Sequence, residues 1–342
     1  MALWLALAAV VPANGAEEQK AQRLTLSIWE GAVPGALIEQ FTAATGIEVD
    51  LIERPGAVDE DDGVLAGGVD VVLVSAPLAQ RLAADDRLAE LEHGKLPNLK
   101  HLHSMARKLK HDEGNRFSVP LTWGTTGLCY RADLVKAPPV SWGELINPAD
   151  ELAGKVTALP FPRWLVGAAL KAGGQSLNTT DAEKLKEAVK RLNGRKKGSL
   201  GFDGSAHFVR LARGEVVVAQ AWDSWCNQAR RLNDKVAFAL PKEGSDLWVD
   251  VLVVPKDAPN GGAAHLLIDF LLKPESAETV IAQTLQKTPN EAGMKRVDAD
   301  LMARFPSLTL SPETLARQEQ MLDVGKARND YAKAARSAID GK

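Results

Sequence analysis

Short apolar runs that alternate with stretches of helical periodicity limit the folds open to this chain more than any other feature. Residues 24–28 form a strand-like apolar run, and residues 34–45 place apolar side chains at helical spacing. Gly46 follows as a left-handed helix cap, and residues 47–52 then form a second strand-like run. Alternating strands and helices are typical of layered folds with parallel sheets, so the pattern predicts an α/β protein.

The same alternation continues through the rest of the chain. Continuous apolar runs at 70–74, 216–219 and 251–254 suit strands that are buried on both faces of a parallel sheet. Thr180-Asp181-Ala182-Glu183 has the capping-box pattern and precedes apolar residues at helical spacing, so a helix is predicted to begin there. A length of 342 residues favours two lobes over one.

The charge balance excludes one class of function. The chain has 41 basic and 44 acidic residues, a formal net charge of -3, and a hydrophobic share of 45% that is ordinary for a globular protein. Proteins that bind DNA or RNA present a basic surface, and this composition supplies none. We therefore expect no nucleic-acid partner.

The first residues are typical of an export signal. Residues 2–13 are apolar but too short to span a bilayer, and small residues at Ala13, Gly15 and Ala16 offer a cleavage site. A cleaved signal peptide over 1–16 and a periplasmic location are therefore predicted. No Lys or Arg precedes the apolar run, so either the true start lies upstream or the signal is degenerate. No later apolar stretch is long enough to insert into a membrane.

Cysteine and histidine residues give no metal or catalytic signature. Cys129 and Cys226 lack the paired spacing of a zinc site, and no Ser/His/Asp or Cys/His order points to an enzyme. His101 and His103 have no third ligand nearby and are predicted to lie on a solvated basic loop. An exported protein can form a disulfide, but free buried cysteines are a common alternative, and both remain open. No cofactor is expected.

Two tryptophan and carboxylate pairs point to a cationic ligand. Trp222 and Asp223 are followed by Trp225, and Trp248 is followed by Asp250 two residues later, which places that pair on one face of a strand. An indole face attracts an organic cation by roughly 0.5 to 2 kcal/mol, and a carboxylate adds a directed charge. Capture of a small amine is the prediction, with core packing the alternative for any single indole.

Segments spread along most of the chain carry a family resemblance. They include LTLSIWE at 24–30, FTAATGIEV at 41–49, VPLTWGTTG at 119–127 and SLNTTD at 176–181, followed by PKEG, FLLKPE, TPN and DVG in the same order. The sequence resembles the spermidine/putrescine-binding proteins, which are periplasmic receptors of bacterial polyamine ABC importers. The resemblance implies a type II periplasmic binding protein, not an enzyme, with two lobes of mostly parallel sheet flanked by helices.

The resemblance also implies how the chain divides into lobes and which protein partner it contacts. Two crossing strands near 123–125 and 248–250 would join lobe 1, over 24–123 plus 251–290, to lobe 2, over 124–250 plus 291–342. Gly124 and Gly127 suit close backbone approach at a crossing, although they also suit ordinary turns. A monomer that delivers its ligand to an inner-membrane ABC permease is expected, and a sensor subunit is the alternative.

Matches and departures within the family pattern define the predicted site. At positions where the family contacts its ligand, this chain keeps indole side chains and one carboxylate. Two aromatic residues of the family pattern are replaced here by Ala32 and Pro77. Phe161 and Trp164 fall where the family has an acidic pair around Arg163, and Met321 falls on a polar position. The predicted ligand-binding set is Trp29, Ser75, Phe161, Arg163, Trp164, Trp222, Asp223, Trp225, Trp248, Asp250 and Met321.

The departures predict a ligand smaller than spermidine. Each missing acid removes a charge-assisted hydrogen bond of roughly 1.5 to 3 kcal/mol, so a second ammonium group would be desolvated without a partner. A compact amine or a quaternary ammonium ion is favoured. Alternatively, Arg163 meets the carboxylate of an ω-amino acid, or it is paired internally with an acid such as Glu30 or Asp223.

Overall fold

In the part of the chain that the structure describes, ten strands form one curled sheet that runs through both halves of the molecule. The structure, a computed structural model, describes residues 22–55, 62–196, 198–205 and 207–341, so the predicted signal segment 1–16 lies outside the described residues. The strands are β1 (Arg23–Trp29), β2 (Glu48–Arg54), β3 (Val71–Ser75), β4 (Ser118–Arg131), β5 (Val156–Ala158), β6 (Leu200–Phe202), β7 (Val218–Trp222), β8 (Val236–Ala239), β9 (Asp246–Val253) and β10 (Glu319–Gln320).

Thirteen α-helices accompany these strands in the described part of the chain. They are α1 (Gly35–Thr45), α2 (Ala76–Ala84), α3 (Trp142–Ile146), α4 (Pro162–Ala172), α5 (Ala182–Asn193), α6 (His207–Arg213), α7 (Asp223–Leu232), α8 (Gly261–Leu271), α9 (Pro274–Thr284), α10 (Glu291–Met294), α11 (Ala299–Arg304), α12 (Pro312–Ala316) and α13 (Arg328–Asp340). None of the helices within these described segments is both long enough and apolar enough to span a bilayer.

The first lobe is built on the parallel strands β2, β1 and β3. Leu24, Leu26 and Ile28 alternate along β1 and are completely buried against helices α1 and α8, where the rings of Phe41 and Phe270 meet edge to face at 5.6 Å. Helix α1 ends at Gly46, whose φ of 73° is left-handed. The strand, helix and cap predicted for this segment are confirmed.

The second lobe repeats the arrangement with the parallel strands β6, β5 and β7. Helices α4, α5 and α13 cover one face, and Trp142 and Tyr331 are among its largest buried side chains. Helix α5 forms as predicted, but the capping-box prediction is wrong in one detail. Asp181 rather than Thr180 is the N-cap, because its carboxylate accepts the backbone N–H groups of Glu183 and Lys184.

Strands β4 and β9 join the two lobes. They run antiparallel, with Thr122 opposite Asp250 and Gly124 opposite Trp248, and β9 also pairs with β3 while β4 continues to β7 and β8. The predicted two-lobed α/β fold with two crossing strands is confirmed. The pairing register shifts between Pro120 and Thr122, where proline has no N–H to donate to the ladder.

A disulfide fastens the second lobe. Cys129 of β4 and Cys226 of α7 are 97 residues apart in sequence and have Cα atoms 5.6 Å apart. Both sulfur atoms lie in an apolar cluster with Leu211 and Val216. Of the two alternatives that the sequence left open, the structure shows the disulfide.

Candidate functional site

The middle of the crossing strands presents polar and aromatic groups on one face. Trp248 and Asp250 are two residues apart on β9 and therefore point to the same side, as predicted. The Thr122 hydroxyl lies 3.4 Å from the Asp250 carboxylate, and Ser75 is the partner of Asp250 in the register of β3 and β9. A half-buried carboxylate thus lies where both lobes meet.

Aromatic rings from the second lobe pack beside this face. Trp222, at the end of β7, stacks on Phe161 with their ring centroids 5.7 Å apart. It meets Trp164 and Trp225 edge to face, at centroid distances of 5.3 Å and 4.9 Å. Trp248 belongs to the same cluster. The structure therefore brings together all five aromatic residues of the second lobe that the sequence placed in the site.

Gly124 allows the closest approach in this region. A Cβ atom at Gly124 would lie 2.3 Å from Cζ2 of Trp248 and 2.4 Å from Oδ1 of Asp223. Neither distance is compatible with a side chain, since carbon atoms pack at about 3.5 to 4.0 Å. The close backbone approach proposed for Gly124 is confirmed, and Gly127 makes a similar one against Phe238, whose Cζ would lie 2.5 Å from a Cβ.

Two of the groups that a Cβ at Gly124 would meet contain a buried polar atom without a hydrogen-bond partner among the described residues. They are the indole N–H of Trp248 and Oδ2 of Asp223, whose other oxygen accepts the Ser224 N–H at 2.9 Å. Burial raises the pKa of the Asp223 carboxyl to about 7 against the opposing pull of the Lys287 ammonium, and burial also lowers the pKa of Lys287 to about 8. Unsatisfied buried polar atoms are rare in native proteins, so these two distinguish the surroundings of Gly124 from an ordinary core.

A second buried carboxylate, Asp246, was missed by the sequence reasoning. Its oxygens accept the Trp164 indole N–H at 3.1 Å, the Thr126 N–H at 3.0 Å and the Ser245 hydroxyl at 3.0 Å, while burial raises its pKa. Asp246 fixes the orientation of the Trp164 ring. The signal was present in the sequence, because Asp246, Trp248 and Asp250 alternate along one strand.

Arg163 lies at the start of α4, and its two terminal nitrogens donate inside the second lobe. One terminal nitrogen donates to the Leu322 carbonyl at 2.8 Å, and the other donates to the Asn178 side chain at 2.8 Å and to the Leu177 carbonyl at 3.3 Å. The guanidinium also covers the Tyr331 ring at 4.9 Å. Internal pairing, one of the predicted alternatives, is what the structure shows, although neither Glu30 nor Asp223 is the partner.

The remaining predicted residues lie around the edges of this region. Trp29, at the end of β1, carries the Arg54 guanidinium on its ring at 4.1 Å, a partner that the sequence reasoning did not foresee. The Ser75 hydroxyl caps helix α2 by accepting the Leu78 N–H at 3.4 Å. Met321 is buried beside Trp164 at a small cavity in the second lobe and does not belong to the aromatic cluster.

The fold defines a class: a two-lobed binding protein whose lobes share two crossing strands. Residues 36–301 match the family model described as bacterial extracellular solute-binding protein. The chain belongs to this family. Because the family consists of binding proteins, the prediction that the chain is not an enzyme is confirmed.

Individual relatives extend over nearly the whole chain. The spermidine/putrescine-binding periplasmic protein 1 of Haemophilus influenzae is 30% identical over 315 residues, covering 90% of this chain and 86% of that protein. The putrescine/cadaverine-binding protein of Pseudomonas aeruginosa is 30% identical over 337 residues, covering 94% of each. The crystal structure of the spermidine/putrescine ABC transporter substrate-binding protein of Streptococcus pneumoniae has a TM-score of 0.80 at 22% identity and covers 94% of this chain and 99% of that one.

Proposed function

We propose that the protein is the periplasmic receptor of an ABC importer and that its ligand is a compact organic amine with one positive charge. The observation that carries the proposal is the placement of Trp248 and Asp250 on one strand face beside a cluster of aromatic rings. Indole faces and a half-buried carboxylate recognise an ammonium group through cation–π attraction and a charge-assisted hydrogen bond. Relatives named for binding putrescine, cadaverine and spermidine support the amine class.

In this proposal Asp250 holds the ammonium group, and Trp222 and Trp248 wall it. Trp29 and Ser75 contribute from lobe 1, while Phe161, Trp164 and Trp225 line the far end. A ligand that touches both lobes at once favours the closed form, because only contacts that differ between two conformations shift their equilibrium. The lobe boundaries given above, over 24–123 plus 251–290 and 124–250 plus 291–342, are part of this proposal.

Two features argue against a long polyamine. Phe161 and Trp164 pack against Trp222, so the far end offers rings where a second ammonium group needs an acid. The Trp29 ring already carries a cation, the Arg54 guanidinium.

An ω-amino acid is the less favoured ligand. Its carboxylate needs a guanidinium with accessible donors in the second lobe, whereas both terminal nitrogens of Arg163 already donate to Leu322, Leu177 and Asn178 and its Nε is buried. We therefore place the amine without a carboxylate ahead of the zwitterion. Delivery to an inner-membrane permease, action as a monomer and cleavage of the signal peptide belong to the same proposal.

Competition calorimetry tests the ligand assignment. Butylamine, choline, 4-aminobutyrate, putrescine and spermidine compete for one site, and we expect a monocation to bind most tightly. Asp250→Asn should weaken that binding more than tenfold, since truncating one side of a buried charged contact costs about 2 to 5 kcal/mol. Asp340→Asn, at the exposed end of α13, is the matched control and should bind normally. Submicromolar spermidine binding that displaces every other compound would restore a polyamine as the ligand.

A further inference from the structure

Strand β9 carries a second acid on the face of the proposed ligand site. Side chains alternate along a strand, so Asp246, Trp248 and Asp250 point to the same side of β9. The four-residue interval places Asp246 about 13 Å along the strand from Asp250. Asp246 is only 4% exposed, whereas Asp250 is half-buried. Of the two acids, only Asp250 is therefore accessible to a ligand in this structure.

The indole of Trp164 covers Asp246. Its Nε1–H donates to Oδ2 of Asp246 at 3.1 Å, while Oδ1 of Asp246 accepts the Thr126 N–H and the Ser245 hydroxyl, both at 3.0 Å. The same indole packs edge to face with Trp222, at a centroid distance of 5.3 Å. The Trp164 ring thus contacts the aromatic wall of the proposed site and the hidden acid at once.

The backbone of Trp164 is anchored independently of its ring. The Gln220 amide donates to the Trp164 carbonyl at 3.0 Å and accepts the Leu159 N–H at 3.2 Å, and Pro162 starts helix α4 with a fixed φ. A shorter side chain at position 164 would therefore uncover Asp246 while α4 still begins at the same place. Burial raises the pKa of Asp246, so the entry of water would also favour its charged form.

Two cations, Arg163 and Lys171, border a small cavity beside Trp164 and Asp246. Lys171 pairs with Glu319 at 2.6 Å, and the terminal nitrogens of Arg163 donate to two carbonyl oxygens and one amide oxygen of its own lobe. Among the residues that the structure describes, neither cation forms an ion pair with Asp246. An ammonium group that reached Asp246 would therefore not have to displace an existing ion pair.

We infer that Trp164 sets the length of the ligand by covering Asp246, and that removal of its ring converts the site into one for a five-carbon diamine. The inference rests on the function proposed above, in which Asp250 holds the first ammonium group. Contacts of about 2.8 Å at each acid leave about 7 to 8 Å between the two nitrogens. An extended five-carbon chain with bonds of about 1.5 Å holds its nitrogens about 7.5 Å apart. The chain would run along the Trp248 indole, which lies between the acids on the same face.

Calorimetry with cadaverine and pentylamine tests this inference, because the two amines have the same chain length and differ in the second ammonium group. In Trp164→Ala the ratio of cadaverine affinity to pentylamine affinity should rise at least tenfold over the wild-type ratio, since one charge-assisted hydrogen bond is gained. Trp164→Phe, which keeps a ring over the acid, should retain the wild-type ratio. The double variant Trp164→Ala with Asp246→Asn should lose the gain.

The affinity ratio separates a change in specificity from damage to the fold, because a general loss of structure weakens the binding of both amines. An unchanged ratio in Trp164→Ala, or a rise that persists in the double variant, would overturn the inference. If Trp164→Ala does not fold, Trp164→Val provides the same comparison, since it also removes the indole from Asp246. The wild-type ratio tests the proposed function separately. Tighter binding of cadaverine than of pentylamine by the wild type would contradict the preference for one charge, whereas the role of Trp164 is judged from the change between proteins.

Discussion

A methyl group added at Gly124 would collide with the two groups that shape the proposed ligand site. In Gly124→Ala the new Cβ starts 2.3 Å from Cζ2 of Trp248 and 2.4 Å from Oδ1 of Asp223. Restoring a carbon–carbon distance of about 3.5 Å requires a shift of about 1.2 Å. The β4 backbone is held on both sides by β9 and β7, so the Trp248 ring and the Asp223 carboxylate must move instead.

The expected cost combines two contributions. Overpacking a buried site costs about 1 to 3 kcal/mol, and displacing the Trp248 ring from its aromatic cluster costs about 0.5 to 1.5 kcal/mol. We expect the free energy of unfolding to fall by about 2 to 3 kcal/mol in urea titrations. Amine affinity should fall more than tenfold by calorimetry, because the indole no longer faces the ammonium group.

Gly167→Ala is the matched control. Gly167 is also buried, but a Cβ there would have its nearest neighbour in the Leu177 Cβ at 3.8 Å, an ordinary distance. Alanine inside a helix is favoured over glycine by about 0.5 to 1 kcal/mol, so this variant should be slightly more stable and bind normally. Wild-type stability and affinity in Gly124→Ala would refute the steric reasoning.

Three further predictions concern the disulfide, the pH response and the lobe motion. Replacing both Cys129 and Cys226 with serine should lower the free energy of unfolding by about 3 to 5 kcal/mol, and the variant, unlike the wild type, should unfold identically with and without reductant. The Asp223 carboxyl keeps its proton to about pH 7 when folded but only to about pH 4 when unfolded, so its contribution to stability is lost as pH rises between these values. The wild type should therefore lose more unfolding free energy between pH 4 and pH 7 than Asp223→Asn does, by at least about 1 kcal/mol in urea titrations. An equal loss in both proteins would contradict the burial of this group. Solution scattering should show a smaller radius of gyration at saturating ligand, and identical profiles would exclude lobe closure.

Local patterns explain the parts of the fold that the sequence predicts well. The alternation in β1, the helical spacing of α1 and the left-handed Gly46 are each determined by neighbours a few residues away. The pairing of Trp248 with Asp250 on one face follows from the same two-residue period. These features needed no knowledge of distant contacts.

The sequence patterns could not predict contacts between side chains and partners that are far apart in sequence. Arg163 donates to the Leu322 carbonyl, 159 residues away, and nothing near Arg163 indicates that contact. Arg54 reaches the Trp29 ring only because β1 and β2 pair in parallel with these two residues in register. In each case the competing choices differ by a few kcal/mol of hydrogen bonding and charge, which the tertiary structure decides.

The described chain begins in one lobe with β1 and finishes in the other with α13, which packs on α4 and α5. Fluorescent proteins fused before β1 and after α13 would therefore be carried by different lobes. Energy transfer between the two fluorophores would report the lobe closure proposed above, with no label inside the protein. The connectivity proposed here, in which each lobe is discontinuous in sequence, thus makes this molecule a suitable scaffold for an optical sensor of its own ligand.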